Sequence, residues 1–165
     1  MNRSIIIRSA ALAGLLALAS APSVAPQFFS DPAVVPRAIH EPYARQKVVY
    51  HITQGGGWFG RDHAARLQSM LNHVNAVGRD KLDMVAILQG DGASLLYDAA
   101  SNSKLSGMVD RLRRAGIRFV ICRNTLVGRN YPVEDLYGAT ASDLVPAGVA
   151  EVVDLQQKGY VLVRL

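Results

Sequence analysis

The chain has 165 residues, half of them hydrophobic and 19% charged, which fits one globular domain with a sizeable core and excludes a disordered, collagenous or multidomain chain. Of its 18 basic side chains, Arg3 and Arg8 lie at the extreme N-terminus, leaving 16 against 13 acidic ones. Arg111, Arg113 and Arg114 fall on the solvated side of one helix, so the mild surplus lacks the basic stripe with interleaved aromatics of a nucleic-acid binder.

Arg3 and Arg8 precede an Ala/Leu-rich apolar run at 10–19 and then small residues, the order of a secretory signal peptide. The expectation is a signal peptide over residues 1–25, a mature chain starting between Ser20 and Gln27, and a periplasmic or secreted location. The run falls short of the roughly 20 apolar residues of a spanning helix, so no stable membrane insertion is expected after processing. Residues 26–46, with Pro26, Pro32, Pro36 and Pro42 and no hydrophobic period, form a Pro-rich spacer. The folded domain spans 47–165.

Within the domain, short apolar runs alternate with helical periods. Strand one is predicted at 47–52, followed by Gln54-Gly55-Gly56-Gly57 and a helix over 62–77 with Ala64, Leu67, Leu71 and Val74 at helical spacing. Strand two covers 82–88, and Gly90-Asp91-Gly92 breaks the chain before a short helix at 93–98. Leu105, Met108, Val109 and Leu112 mark the next helix face, which Gly116 ends. Strand three, 117–121, runs into Cys122. A short helix near 133–137, a brief strand at 143–145, a helix over 149–158 and a strand at 160–163 complete the pattern. Continuous apolar strands separated by helices imply parallel pairing and burial on both faces: an α/β, flavodoxin-like, doubly wound five-stranded sheet in a three-layer sandwich. The order 2-1-3-4-5 is expected, with a ligand crevice between strands one and three at their carboxyl ends.

Cys122, the one cysteine, has no internal disulfide partner, so it is buried and inert, paired between chains, or a reactive thiol. Its place at the carboxyl end of strand three makes it the candidate catalytic residue. Gln54, Gly55, Gly90 and Asp91 border the same edge. Asn124 or Thr125 can cap a helix whose amides favour thiolate, and Arg123 adds positive charge. His51 is either a base or hydrogen-bond partner for Cys122 across the crevice, or a hydrogen-bonded strand-end residue. The glycine run lacks the Lys-Ser/Thr of a P-loop and the third glycine of a dinucleotide fingerprint. It is either a weak nucleotide signal or a mobile turn carrying Trp58 and Phe59 over the crevice or into a subunit contact. His40, His63 and His73 have no metal-ligand spacing with Cys122 or a carboxylate cluster, and no Ser-His-Asp arrangement is arguable. No metal or organic cofactor is expected.

Three stretches carry a resemblance: Lys47-Val48-Val49-Tyr50-His51-Ile52, Gly116-Ile117-Arg118-Phe119-Val120-Ile121-Cys122 with Asn124-Thr125-Leu126, and Val145-Pro146-Ala147-Gly148-Val149-Ala150-Glu151. In order and spacing the domain from 47 to 165 resembles the DsrE/DsrF-like family, also described as YchN-like. The resemblance implies a flavodoxin-like fold without flavin, assembly into trimers or hexamers, and a cysteine after a strand that carries sulfur as a persulfide, a position Cys122 matches. A sulfur donor or acceptor protein is then the expected partner. A noncatalytic oligomeric module that binds a small sulfur species or a partner protein is the rival reading.

Overall fold

The computed structural model describes residues 38–165, and Glu41–Leu165 form one compact unit. The expected signal peptide and most of the expected spacer lie outside the described residues. Five strands, β1 (Gln46–Ile52), β2 (Leu82–Leu88), β3 (Arg118–Cys122), β4 (Leu144–Val145) and β5 (Val161–Arg164), form one sheet whose pairs are all parallel. The helices are α1 (Arg61–Val77), α2 (Ser94–Ser101), α3 (Ser103–Arg114), α4 (Arg123–Arg129) and α5 (Gly148–Gln157). The expected fold class is observed.

The strand order is β4-β3-β2-β1-β5, which corrects the expected 2-1-3-4-5. Here β2 separates β1 from β3, so no crevice forms between those two strands. Strands buried on both faces carry no mark of their neighbours, and the order then fixes the helix faces through the handedness of crossovers. Steps from β1 to β2, β3 and β4 all move one place the same way, so right-handed connections place α1 to α4 on one face. Only the connection through α5 returns across the sheet, to the free edge of β1, and it therefore lies on the other face.

Two cores of unequal size result. Val48, Tyr50, Ile52, Met84, Ala86, Leu88, Phe119 and Ile121 point to the first face, against Leu67, Met70 and Leu71 of α1, Leu95 and Leu96 of α2, and Leu105, Val109 and Leu112 of α3. The alternate residues Val49, Val85, Ile87 and Val120 point to the second face, where they meet Val152 and Leu155 of α5 and Tyr160. Period-two alternation of strand side chains makes this division. It also decides which strand-end residues meet.

Candidate functional site

The residues that end the strands on the α5 side are polar and lie in a row. Cys122 ends β3; Gln89 follows β2; His51 is in β1 with the parity of Val49; and Arg164 of β5 is in register with His51. His51 Nε2 donates to Gln89 Oε1 at 2.9 Å, since an amide oxygen can only accept. The Gln89 N–H is held in turn by the Ile52 carbonyl at 3.0 Å. Gly148, the first residue of α5, closes the row from above: a Cβ there would lie 2.9 Å from Gln89 Oε1 and 3.2 Å from Cys122 Cβ. The helix start presses on both side chains, so a methyl group at 148 would require them to shift.

Cys122 is 2% exposed, yet its surroundings are polar. Burial pushes its thiol up, but the Thr125 hydroxyl and the N–H groups of Gly148, Thr125 and Asn124 act on the sulfur and bring it below the ordinary thiol value. Four donors favour the anion more strongly than desolvation disfavours it. The Thr125 hydroxyl is oriented by its neighbour: the Gly90 N–H donates to Thr125 Oγ1 at 3.0 Å, so the hydroxyl's own hydrogen is free to point at sulfur. Cys122 itself occupies the N-cap of α4, without a completed side-chain cap bond. This corrects the expectation that Asn124 or Thr125 caps that helix; as its second and third residues they supply N–H groups instead.

The other expected neighbours divide. His51 reaches Gln89 and not Cys122, so the strand-end reading holds and its role as a direct base does not. Arg123 is exposed, and the shift of the thiol comes from hydrogen-bond donors. Asp91 pairs with Arg129. Gln54 lines a hollow with His51 and Arg164 of the row, and together with Gly55 it also meets a second cluster, where Arg66 donates to the Gly55 carbonyl at 2.9 Å and to Gln54 Oε1 at 3.4 Å. Trp58 and Phe59 are 82% and 87% exposed, and Phe59 lines a groove against the α2–α3 junction and not the thiol site.

That second cluster contains a Ser-His-Asp set that the spacing did not reveal. His63, completely buried, has Nε2 2.9 Å from Ser94 Oγ and 3.6 Å from Asp98 Oδ2. Arg66 Nη1 lies 3.3 Å from Nδ1, so Nδ1 accepts and Nε2 carries the proton. The Ser94 hydroxyl is already committed to the Asp91 carbonyl at 2.8 Å. His63 thus donates to Ser94 and cannot activate it, which rules out a nucleophilic triad in this state. Burial and the Arg66 charge, partly offset by Asp62, hold His63 down at about 4. The set is structural, and the 55–57 loop rests on it: a Cβ at Gly56 would fall 2.4 Å from the His63 ring. Among the described residues, no three His, Cys, Asp or Glu side chains converge to hold a metal, and no helix is long and apolar enough to cross a membrane.

A doubly wound parallel sheet with a buried cysteine at its carboxyl edge defines the class: an α/β protein of flavodoxin-like fold. The DsrE/DsrF-like family pattern matches residues 57–165, more than half of the chain, and the chain belongs to that family. A solved structure, that of the protein of unknown function MTH1491 from Methanobacterium thermoautotrophicum, is similar at 25% identity and a TM-score of 0.56, covering 73% of this chain and 99% of that one. Among curated proteins none matches.

Proposed function

We propose that the protein is an exported sulfur carrier or sulfurtransferase that holds sulfur as a persulfide on Cys122. Membership of the DsrE/DsrF-like family suggests a role of the sulfur-relay type. The single observation that carries the finer reading is the seat of a buried cysteine at the carboxyl end of β3 and the start of α4, beside the Thr125 hydroxyl, with its thiol held below its ordinary value. Such a site stabilises both a thiolate and the anionic outer sulfur of a persulfide. The Cys122 thiolate attacks the sulfane sulfur of a donor, the donor's S–S or S–X bond breaks, and the leaving group departs with the electron pair. An acceptor thiolate then attacks the outer sulfur and Cys122 leaves as thiolate, so no external oxidant or reductant is required. Gln89, fixed by His51, stands next to the path of the outer sulfur, and Arg164 adds positive charge at the end of the row.

Intact mass after incubation with polysulfide tests this. The native chain gains one sulfur, reversibly by thiol treatment, and Cys122→Ser gains none while keeping its fold. An unchanged mass in the native chain refutes the carrier reading. The second reading, a noncatalytic binding module, is favoured by the 2% exposure of Cys122, and binding of a small sulfur species without covalent gain would establish it.

Self-association into a trimer or hexamer and export through the N-terminal segment belong to the same proposal. The exposed Trp58 and Phe59 support the first, and the order of charged, apolar and small residues supports the second. Light scattering that returns a monomer at micromolar concentration, or recovery of intact Met1 from the cytosol, would remove each in turn.

A further inference from the structure

On the helix face remote from Cys122, α1 and α3 leave a groove of about 600 Å³ between them. On α1 it is lined by Arg61, Ala64, Ala65 and Gln68, and on α3 by Lys104, Gly107, Met108 and Arg111. Both sets follow the i, i+3, i+4, i+7 spacing of one helical stripe. The floor is small or apolar, and the polar ends carry three cations and no acid. None of Arg61, Lys104 and Arg111 has a salt-bridge partner among the described residues.

Gly107 is the informative position. It lies inside α3, where glycine is unfavourable, its φ is not positive, and a Cβ there would meet nothing within 4 Å. The fold therefore gives no reason for glycine at 107. What matters to the groove is that the residue stays small: a side chain longer than a methyl group at that point would project into it. Helix faces built from small residues admit the backbone of another helix closely, and unpaired cations at the ends select its charge.

From this we infer that the α1–α3 groove docks an acidic α-helix of a partner protein. Arg61 and Lys104 mark one end and Arg111 the other, seven residues along, or about 10 Å on a helix. The helix that fits presents Ala or another small residue to Gly107 and Ala64, and carries Glu or Asp about two turns apart. The inference is independent of the sulfur chemistry, since the groove shares no residue with the Cys122 site.

The test uses the full chain and a fluorescent 21-residue helical peptide with Glu at positions two turns apart on an Ala/Leu face, read by anisotropy. The expected result is saturable binding that weakens at least tenfold in Gly107→Leu, which fills the groove, and in Arg61→Gln/Lys104→Gln/Arg111→Gln, which removes its charge. Gly107→Ala, which leaves the groove open, retains binding within threefold, and circular dichroism establishes that each variant is folded. Equal binding to Gly107→Leu would overturn the inference. So would equal affinity for a proline-interrupted peptide of the same charge or for a single-stranded RNA, either of which identifies a general polyanion surface.

Discussion

Replacing Thr125 by Val removes one hydroxyl from beside the Cys122 sulfur while keeping nearly the same volume. That hydroxyl is the largest single influence lowering the thiol, and a hydrogen bond to a charged group contributes about 1.5–3 kcal/mol. Its loss raises the Cys122 pKa and leaves the backbone N–H groups of Gly148, Thr125 and Asn124 to hold the anion. The substitution also strips the Gly90 N–H of its acceptor, so folding stability falls by about 1–3 kcal/mol, the cost of leaving such a group unpaired. Thr125→Ser keeps the hydroxyl and separates the two effects from mere loss of a methyl group. The assay is thiolate absorbance in the ultraviolet followed against pH, which reports ionisation without requiring a reagent to reach the sulfur, with Cys122→Ser as the blank. A titration midpoint in Thr125→Val equal to that of the native chain would refute the claim that side-chain and backbone donors poise this thiol.

Three further outcomes follow from the same geometry. Because His63 is held at about 4 against an ordinary 6.5, the unfolded chain binds more protons between those values; its contribution is full above pH 6.5 and is lost as pH falls through 4, amounting to roughly 3 kcal/mol. Urea unfolding from pH 7.5 to 4 should show this slope in the native chain and a flatter one in His63→Gln, and parallel slopes would contradict it. Gly148→Ala forces a methyl group against Gln89 and Cys122, with an expected loss of about 1–3 kcal/mol and slower sulfur loading by mass; unchanged stability and loading would dismiss the close approach. Gly107→Ala, in contrast, should raise stability by about 0.5–1 kcal/mol, and a lowered urea midpoint would show that α3 needs the glycine for itself.

The elements were legible where the pattern was strong. The Leu82-Asp83-Met84-Val85-Ala86-Ile87-Leu88 run, apolar but for Asp83, and the helical spacing of Leu67, Leu71 and Val74 matched the observed β2 and α1 closely. Strand order was not, because strands buried on both faces read alike and carry no mark of their neighbours. Cys122 stood out by being unique, and Asn124 and Thr125 by following it. Gln89 and Gly148 did not, since their roles arise from contacts 33 and 26 residues away in sequence, counted from Cys122. One signal was available: His51 and Arg164 share the parity of Val49 and Leu162, so a parallel sheet puts their side chains on one face at one end. For His63, position 63 precedes Leu67 and Met70 by four and seven residues, a spacing that places it on the buried side of α1, away from solvent and from any metal.

The unequal covering of the sheet divides the molecule into a heavy and a light half. Four helices lock one side through a broad core, while a single ten-residue helix, tied to a two-residue strand, roofs the other. Local opening follows the smallest buried area, so a shift of the α5 start can uncover Cys122 while the interface of α1, α2 and α3 stays intact. Amide exchange should be fastest, within secondary structure, at 144–150. The Cys122 site then lies under the more lightly covered face of the fold, below a helix that turns Val149 and Val153 to the outside.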